Sequence, residues 1–194
     1  MLSLEVKSSR LLILVLMFFL ISIGCYYACL SSMYPDPQAA GQDQLFHAVK
    51  GPGLEDVYEV VEVIDGDTVR VKKNGWEESV RLIGIDTPEV ASPYEKEECF
   101  GPEASQNTKQ LLEGKEVKLV SDPAVPDKDK YGRLLRYVFL PDRQGSINAQ
   151  LISQGFALYY PYQPFEYMDD FALLEKQARE GEKGLWGSAC NYNK

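Results

Sequence analysis

The sequence predicts an α+β fold, a small five-stranded β-barrel of the OB type with about three flanking helices, preceded by an N-terminal membrane or signal segment. Two observations carry that expectation. Three β-rich runs follow one another across tight-turn dipeptides from Val57 onward. Two more strand-like runs then come after a helical stretch, and further helical stretches with caps and glycine stops complete the chain.

The elements can be justified in order. Val57 to Ile64 is β-rich and ends at the turn dipeptide Asp65-Gly66. Thr68 to Val71 follows and ends near Asn74-Gly75, the strongest short hairpin signal a sequence offers. Glu78 to Ile85 gives a third strand, so the three form an antiparallel meander, the start of a sandwich or small barrel. Gly101-Pro102-Glu103-Ala104 opens a helix with proline in the first turn and an acidic side chain at the positive end of the dipole; it stops at Gly114. Lys115 to Ser121 and Leu134 to Leu140 are the fourth and fifth strands. A second helix is capped by Ser146 and ends near Gly155, and a third runs from about Asp169 to Gly181 with Phe171, Leu174 and Ala178 on one face.

Ahead of this domain, 56–188, the chain reads in two parts. Residues 1–30 carry Lys7 and Arg10, then an apolar run from Leu11 to Ile23 ending at Gly24-Cys25, the pattern of an export signal. Counted through Leu30, the run reaches about the twenty residues that span a bilayer. Three routes stay open: a cleaved signal, a retained anchor, and a lipoprotein signal with Cys25 as the lipidation candidate. Each places the domain outside the cytoplasmic membrane, anchored or secreted. Residues 31–55 hold Pro35, Pro37, Gly41, Pro52 and Gly53 among polar residues and read as a flexible tether, and the lone His47 within it reads as a solvent-exposed linker residue. Residues 189–194 form a short tail.

The 194 residues carry a formal charge of −9, and because residues 1–29 hold Lys7, Arg10 and Glu5, the remainder carries −10. That sign argues against a protein that coats nucleic acid through a basic surface, since nonspecific affinity comes from Lys and Arg displacing counterions. It leaves room for an enzyme that must release its product, and for a carboxylate cluster that holds a hard divalent cation. Two cysteines fall in the domain region, Cys99 and Cys190. In an oxidising compartment such a pair is expected to bridge, and a loop that long is worth about 4 kcal/mol in the chain-entropy account.

The chemistry-bearing residues sit at strand ends. Asp65 and Asp67 flank the first hairpin turn, and Asp86 and Glu89 follow the third strand in Asp86-Thr87-Pro88-Glu89. Barrel curvature can bring such corners together, and grouped carboxylates repel unless a cation or protons hold them. Calcium suits the ligand set because it accepts several oxygens, backbone carbonyls and water in irregular geometry. Arg81 in the third strand and Arg133 in Tyr131-Gly132-Arg133 stand near the same elements. A guanidinium pairs with two phosphoryl oxygens at once, so carboxylates with a cation and two arginines suit attack on a phosphodiester. Taken singly, each residue has a plainer reading as a turn former, a helix cap or a solvated strand face. The joint order and spacing shift the balance.

Four segments, Ile64-Asp65-Gly66-Asp67-Thr68-Val69, Arg81-Leu82-Ile83-Gly84-Ile85-Asp86-Thr87-Pro88-Glu89, Gly101-Pro102-Glu103-Ala104-Ser105 and Asp129-Lys130-Tyr131-Gly132-Arg133, resemble in that order the signature segments of the micrococcal (staphylococcal) nuclease family. The likeness covers about residues 57 to 187. It implies a calcium (Ca2+) cofactor held by the side chains of Asp67 and Asp86 and the backbone carbonyl of Thr87, with Asp65 supporting that shell. It implies that Glu89 positions or deprotonates the attacking water, that Arg81 and Arg133 hold the scissile phosphate, and that Lys130 and Tyr131 contact a neighbouring phosphate. The reaction it implies is hydrolysis of DNA and RNA at the 5′ P–O bond, leaving 3′-phosphates; nothing in the sequence requires more than a monomer.

Two features depart from the family pattern. The segment Tyr159 to Tyr162 does not align cleanly with the family's base-stacking tyrosines, and the acidic balance differs from strongly basic secreted members. The competing expectation is a catalytically silent barrel that binds nucleic acid or protein. Silent members usually lose a metal ligand or an arginine, whereas Asp67, Arg81, Asp86, Glu89 and Arg133 are all retained here.

Overall fold

A computed structural model describes residues 57–93 and 96–190. The expected signal or anchor with Cys25, the tether and residues 191–194 of the tail lie outside the described residues. In chain order the elements are β1 (Val57–Val63), β2 (Thr68–Lys73), β3 (Trp76–Leu82), β4 (Ile85–Asp86), α1 (Gly101–Leu112), β5 (Glu116–Val120), β6 (Leu134–Phe139), α2 (Ile147–Ser153), β7 (Leu158–Tyr159) and α3 (Met168–Glu180), followed by a 3-10 turn, Gly184–Trp186. Among the described residues no helix is long and apolar enough to cross a membrane.

Five strands close into a barrel in the order β1-β2-β3-β6-β5. Alternating side chains point inward, so Val60, Val69, Val71, Val80, Val117 and Val138 are buried in its core. The Asn74-Gly75 turn joining β2 to β3 has both residues at positive φ, 49° and 85°, the twist that lets a two-residue hairpin turn match its strands. In β1 the register steps between Val60 and Glu62, a bulge that bends the strand around the barrel. Closure comes from β3 and β6, which pair in parallel, Val80 opposite Leu134 and Arg81 opposite Leu135.

The third strand differs from its sequence expectation. It begins at Trp76, ends at Leu82, and turns at Gly84, whose φ of +75° breaks the ladder. At that turn the Phe165 ring occupies the space a Cβ would need, so only glycine fits. Ile85 and Asp86 leave the barrel to pair with Leu158 and Tyr159 in a separate two-stranded sheet. Asn148 stitches the seam: its Oδ1 accepts the Val138 amide at 3.0 Å, and its Nδ2 donates to the carbonyls of Ile83 at 2.9 Å and Arg136 at 3.3 Å. A fully buried amide with every bond made fixes where β3 ends beside β6.

The helices follow their sequence signals. Ser146 caps α2 by accepting the Ala149 amide, and α3 buries Phe171, Leu174 and Ala178. Buried Thr108 of α1 donates to the carbonyl of Gly66 at 2.6 Å and ties that helix to the first hairpin turn. Beside the main core, Ala178, Leu185 and Trp186 form a small second cluster against Phe100 and Leu158.

Candidate active site

Barrel pairing brings three distant segments to one corner. Thr68 at the start of β2 lies opposite Arg81, and Arg81 lies opposite Leu135 of β6, so the loop before β6 delivers Arg133 to the same place. In the first hairpin turn Asp65 Oδ1 accepts the amide of Asp67 at 3.0 Å. This aims the buried Asp67 carboxylate at the segment after β4, where its Oδ2 accepts the Thr87 amide at 3.0 Å.

Arg81 joins the carboxylates. Its Nη1 lies 2.7 Å from Asp67 Oδ2 and its Nη2 lies 2.7 Å from Asp86 Oδ1. Nη1 also donates to the carbonyl of Ile85 at 2.9 Å. On the other side Thr68 Oγ1 donates to Asp67 Oδ1 at 3.1 Å and accepts from Arg133 Nη1 at 3.4 Å. Arg133 is aimed by Asp129: Nε donates to Asp129 Oδ2 at 2.7 Å, while Asp129 Oδ1 accepts the amides of Tyr131 and Arg133. A continuous polar chain therefore runs from Asp129 through Arg133, Thr68, Asp67 and Arg81 to Asp86.

Electrostatics differ at the two ends. Burial pushes Asp67 up to about 8, with Asp65 and Asp86 adding to the rise; Arg81 and the Thr87 amide oppose it but do not win. Asp86 is raised in the same way, by burial and then by Glu98 and Asp65, against Arg81. At Asp129 burial also acts upward, but the hydrogen bonds from the Arg133 side chain and from the Arg133 and Tyr131 amides outweigh it and hold the carboxyl low. One end of the chain thus holds acids that call for positive charge, and the other holds an acid already satisfied.

Arg81, Asp86, Lys130, Tyr131 and Arg133 line one cleft of about 630 Å3, with Asp129, Tyr160 and Tyr162. Asp65, Asp67, Thr87 and Glu89 are not among the residues that line it; Asp67 is tied to it by the Arg81 ion pair. Glu89 follows three residues after Asp86, its backbone bonded to Glu98. The sulfurs of Cys99 and Cys190 are 1.98 Å apart with Cα atoms at 5.9 Å, the geometry of a disulfide. Tyr131, 72% exposed, has the Lys130 ammonium 4.9 Å and the Arg133 guanidinium 5.3 Å from its ring.

Sequence reasoning missed Thr68 and Asp129 as site residues, although both lie inside the motif segments; Asp129 stands four before Arg133, as a loop-capping carboxylate would. It also left the tyrosines unassigned. Tyr160 and Tyr162 stack on each other at the cleft rim, ring centres 5.8 Å apart and 7° from parallel.

Among the described residues no group of three or more His, Cys, Asp or Glu side chains is gathered as a metal cluster. The two carboxylates that meet at Arg81 still suit a calcium ion completed by backbone carbonyl and water, since a carboxylate raised by burial, and then by its acidic neighbours, gains from a divalent counter-charge.

Residues 79–188 match the family model of the staphylococcal nuclease homologues. The chain belongs to that family. Among curated relatives of the staphylococcal nuclease homologues, it is similar to a thermonuclease of Staphylococcus hyicus, 38% identical over 135 residues that cover 69% of this chain and 78% of the relative. A thermonuclease of Staphylococcus intermedius is 39% identical over 66% of this chain and 75% of its own length. The endonuclease YncB of Bacillus subtilis is 35% identical over 65% of this chain and 59% of its own length.

Proposed function

We propose that this protein is a calcium-dependent, sugar-non-specific endonuclease that hydrolyses the phosphodiester bonds of DNA and RNA to leave 3′-phosphates. The observation that carries the reading is the convergence of Arg81 and Arg133 on one cleft, each already paired to a carboxylate that orients it. Family membership and the thermonuclease and endonuclease relatives support the nuclease part.

Asp67, Asp86 and the Thr87 carbonyl would hold calcium, with Asp65 fixing the turn that presents Asp67. When bound, the ion supplies Lewis-acid charge neutralisation at a phosphoryl oxygen. Glu89 orients the attacking water and takes its proton. Arg81 and Arg133 donate to the non-bridging oxygens and stabilise the extra charge of the pentacoordinate transition state, and Arg133 faces the departing 5′ oxygen. Lys130 and Tyr131 seat a neighbouring phosphate, and the Tyr160–Tyr162 pair offers exposed aromatic faces for a base. The acidic charge of the chain makes capture of substrate weak and dependent on low salt. We further place the domain outside the cytoplasmic membrane, as one copy, held by its N-terminal segment or released from it.

The test is digestion of single-stranded DNA by the full chain with calcium and with a chelator. Calcium-dependent cleavage is expected, reduced by about 10^2 to 10^4 in Glu89→Gln and by about 10^3 in Arg133→Ala. A folded, calcium-supplied protein that binds DNA without cutting it would instead establish the silent binding module.

A further inference from the structure

The segment between Glu89 and helix α1 is closed at its foot by bonds that the nuclease chemistry does not use. Glu98 donates its amide to the Glu89 carbonyl at 2.9 Å, and the Glu89 amide donates to Glu98 Oε2 at 3.2 Å. The Gly101 amide donates to the Glu98 carbonyl at 3.1 Å, and a Cβ on Gly101 would fall on the Glu89 carbonyl oxygen. Both ends of the loop therefore rest on the first turn of α1.

That foot is fastened from outside the barrel. Cys99, directly after Glu98, is bonded to Cys190, and the chain leading to Cys190 carries Leu185 and Trp186, buried in the small second cluster. Phe100, next in line, packs on the same cluster and stacks on Phe156 at 5.4 Å. Its φ of 74° is a conformation that a side-chain-bearing residue keeps only where its surroundings hold it. Neither cysteine belongs to the barrel's main hydrophobic cluster. What the bridge fixes, through Glu98, is the backbone at Glu89, whose amide and carbonyl both bond to Glu98.

We propose that the Cys99–Cys190 bridge and the Glu98 carboxylate are positioning residues for Glu89, clamping the foot of the 89–98 loop so that the Glu89 side chain is held where the attacking water must be oriented. The bridge acts through backbone: it fixes Cys99, hence Glu98, and Glu98 makes both bonds to Glu89. This rests on the assignment of Glu89 to the water in the reading above. A displaced general base lowers the chemical step and leaves substrate binding alone, and a displacement of about 1 Å costs on the order of a hundredfold.

The experiment compares the full chain with its Cys99→Ser/Cys190→Ser form and with Glu98→Gln, each also in a Glu89→Gln background. At saturating calcium and a temperature where all forms are folded, the serine pair is expected to lower kcat for single-stranded DNA by about ten- to a hundredfold, with KM within twofold. Glu98→Gln, which keeps a weaker acceptor, is expected to fall in between. In the Glu89→Gln background the serine pair is expected to cost nothing further. Equal losses in both backgrounds, or an unchanged kcat with a lowered Tm, would overturn the proposal and leave the bridge as a staple for the tail. Amide hydrogen exchange supplies a readout independent of activity: the amides of Glu89 and Glu98 are expected to lose protection in the serine pair while β1, β2 and β3 keep theirs. Unchanged exchange would overturn the clamp even if the protein proved not to be a nuclease, and a wild type that fails to cut while the loop still loosens would overturn only the functional reading.

Discussion

Nη1 of Arg81 lies 2.7 Å from Oδ2 of Asp67, and the same guanidinium reaches Asp86 with its other nitrogen. A side chain proposed to grip phosphate is thus also the counter-ion of the carboxylates proposed to grip metal. In this structure the positive charge beside that carboxylate pair is the arginine's own.

This pairing does not fully satisfy Asp67, and a pH dependence follows. Its folded-state pKa is raised to about 8, chiefly by burial. Stability from a raised group is complete below the ordinary carboxylate value of about 3.9 and is lost as pH rises through the folded value. In chelator, Asp67→Asn is therefore expected to melt with the wild type near pH 4 and about 5 °C above it at pH 9, while losing calcium-dependent cleavage. A thermal melt at the two pH values checks this; an Asn form less stable at pH 9 would show that the Arg81 pair, and not burial, dominates.

Asp129 behaves in the opposite sense. Its pKa is lowered because the bonds from Arg133 and from two amides outweigh the burial that would raise it. Its contribution is present above the ordinary carboxylate value and disappears only as pH falls through the depressed one. Mild acidification to pH about 5 should leave the Arg133 loop set. Asp129→Ala should lower kcat at every pH by about tenfold or more, because Arg133 loses its Nε partner and the loop two amide acceptors. A pH series of single-turnover rates separates the two cases.

The stacked rings of Tyr160 and Tyr162 predict a binding defect rather than a chemical one. Removing a base-stacking aromatic costs about 1–3 kcal/mol. Tyr162→Ala, at a position 81% exposed, should raise KM for single-stranded DNA by about five- to a hundredfold with kcat nearly unchanged and the Tm unmoved. Parallel initial-rate curves on an oligonucleotide decide it; an unchanged KM would leave the pair as a surface feature.

Asn148 tests the seam instead of the chemistry. Asn148→Leu would strand the Val138 amide and the Ile83 carbonyl in a dry interior, while the Arg136 carbonyl keeps the Ile83 amide, at about 1–3 kcal/mol for each buried group that finds no water. A drop in Tm of 10 °C or more is expected in a thermal melt.

What the sequence disclosed follows the range of its signals. Asn74-Gly75, the Ser146 cap and the Phe171, Leu174, Ala178 face are local statements about backbone and period, and they appear in the structure as read. The break after Leu82 was hidden because Ile83 and Ile85 continue an apolar run, while the reason for the turn is the Phe165 ring, brought from far along the chain. The parallel pairing of β3 with β6 leaves no local trace either, since an edge shows its partner only once the barrel closes. The motif residues lay in view, but the bond that Arg133 donates to Thr68 crosses between segments that nothing in the sequence sets side by side.

That pairing has a consequence in time. Arg81 and Arg133 belong to stretches that meet only when the last barrel strand pairs beside the third, so a chain cut short before residue 139 holds its arginines apart. The cleft that both arginines line is complete only once the barrel has closed.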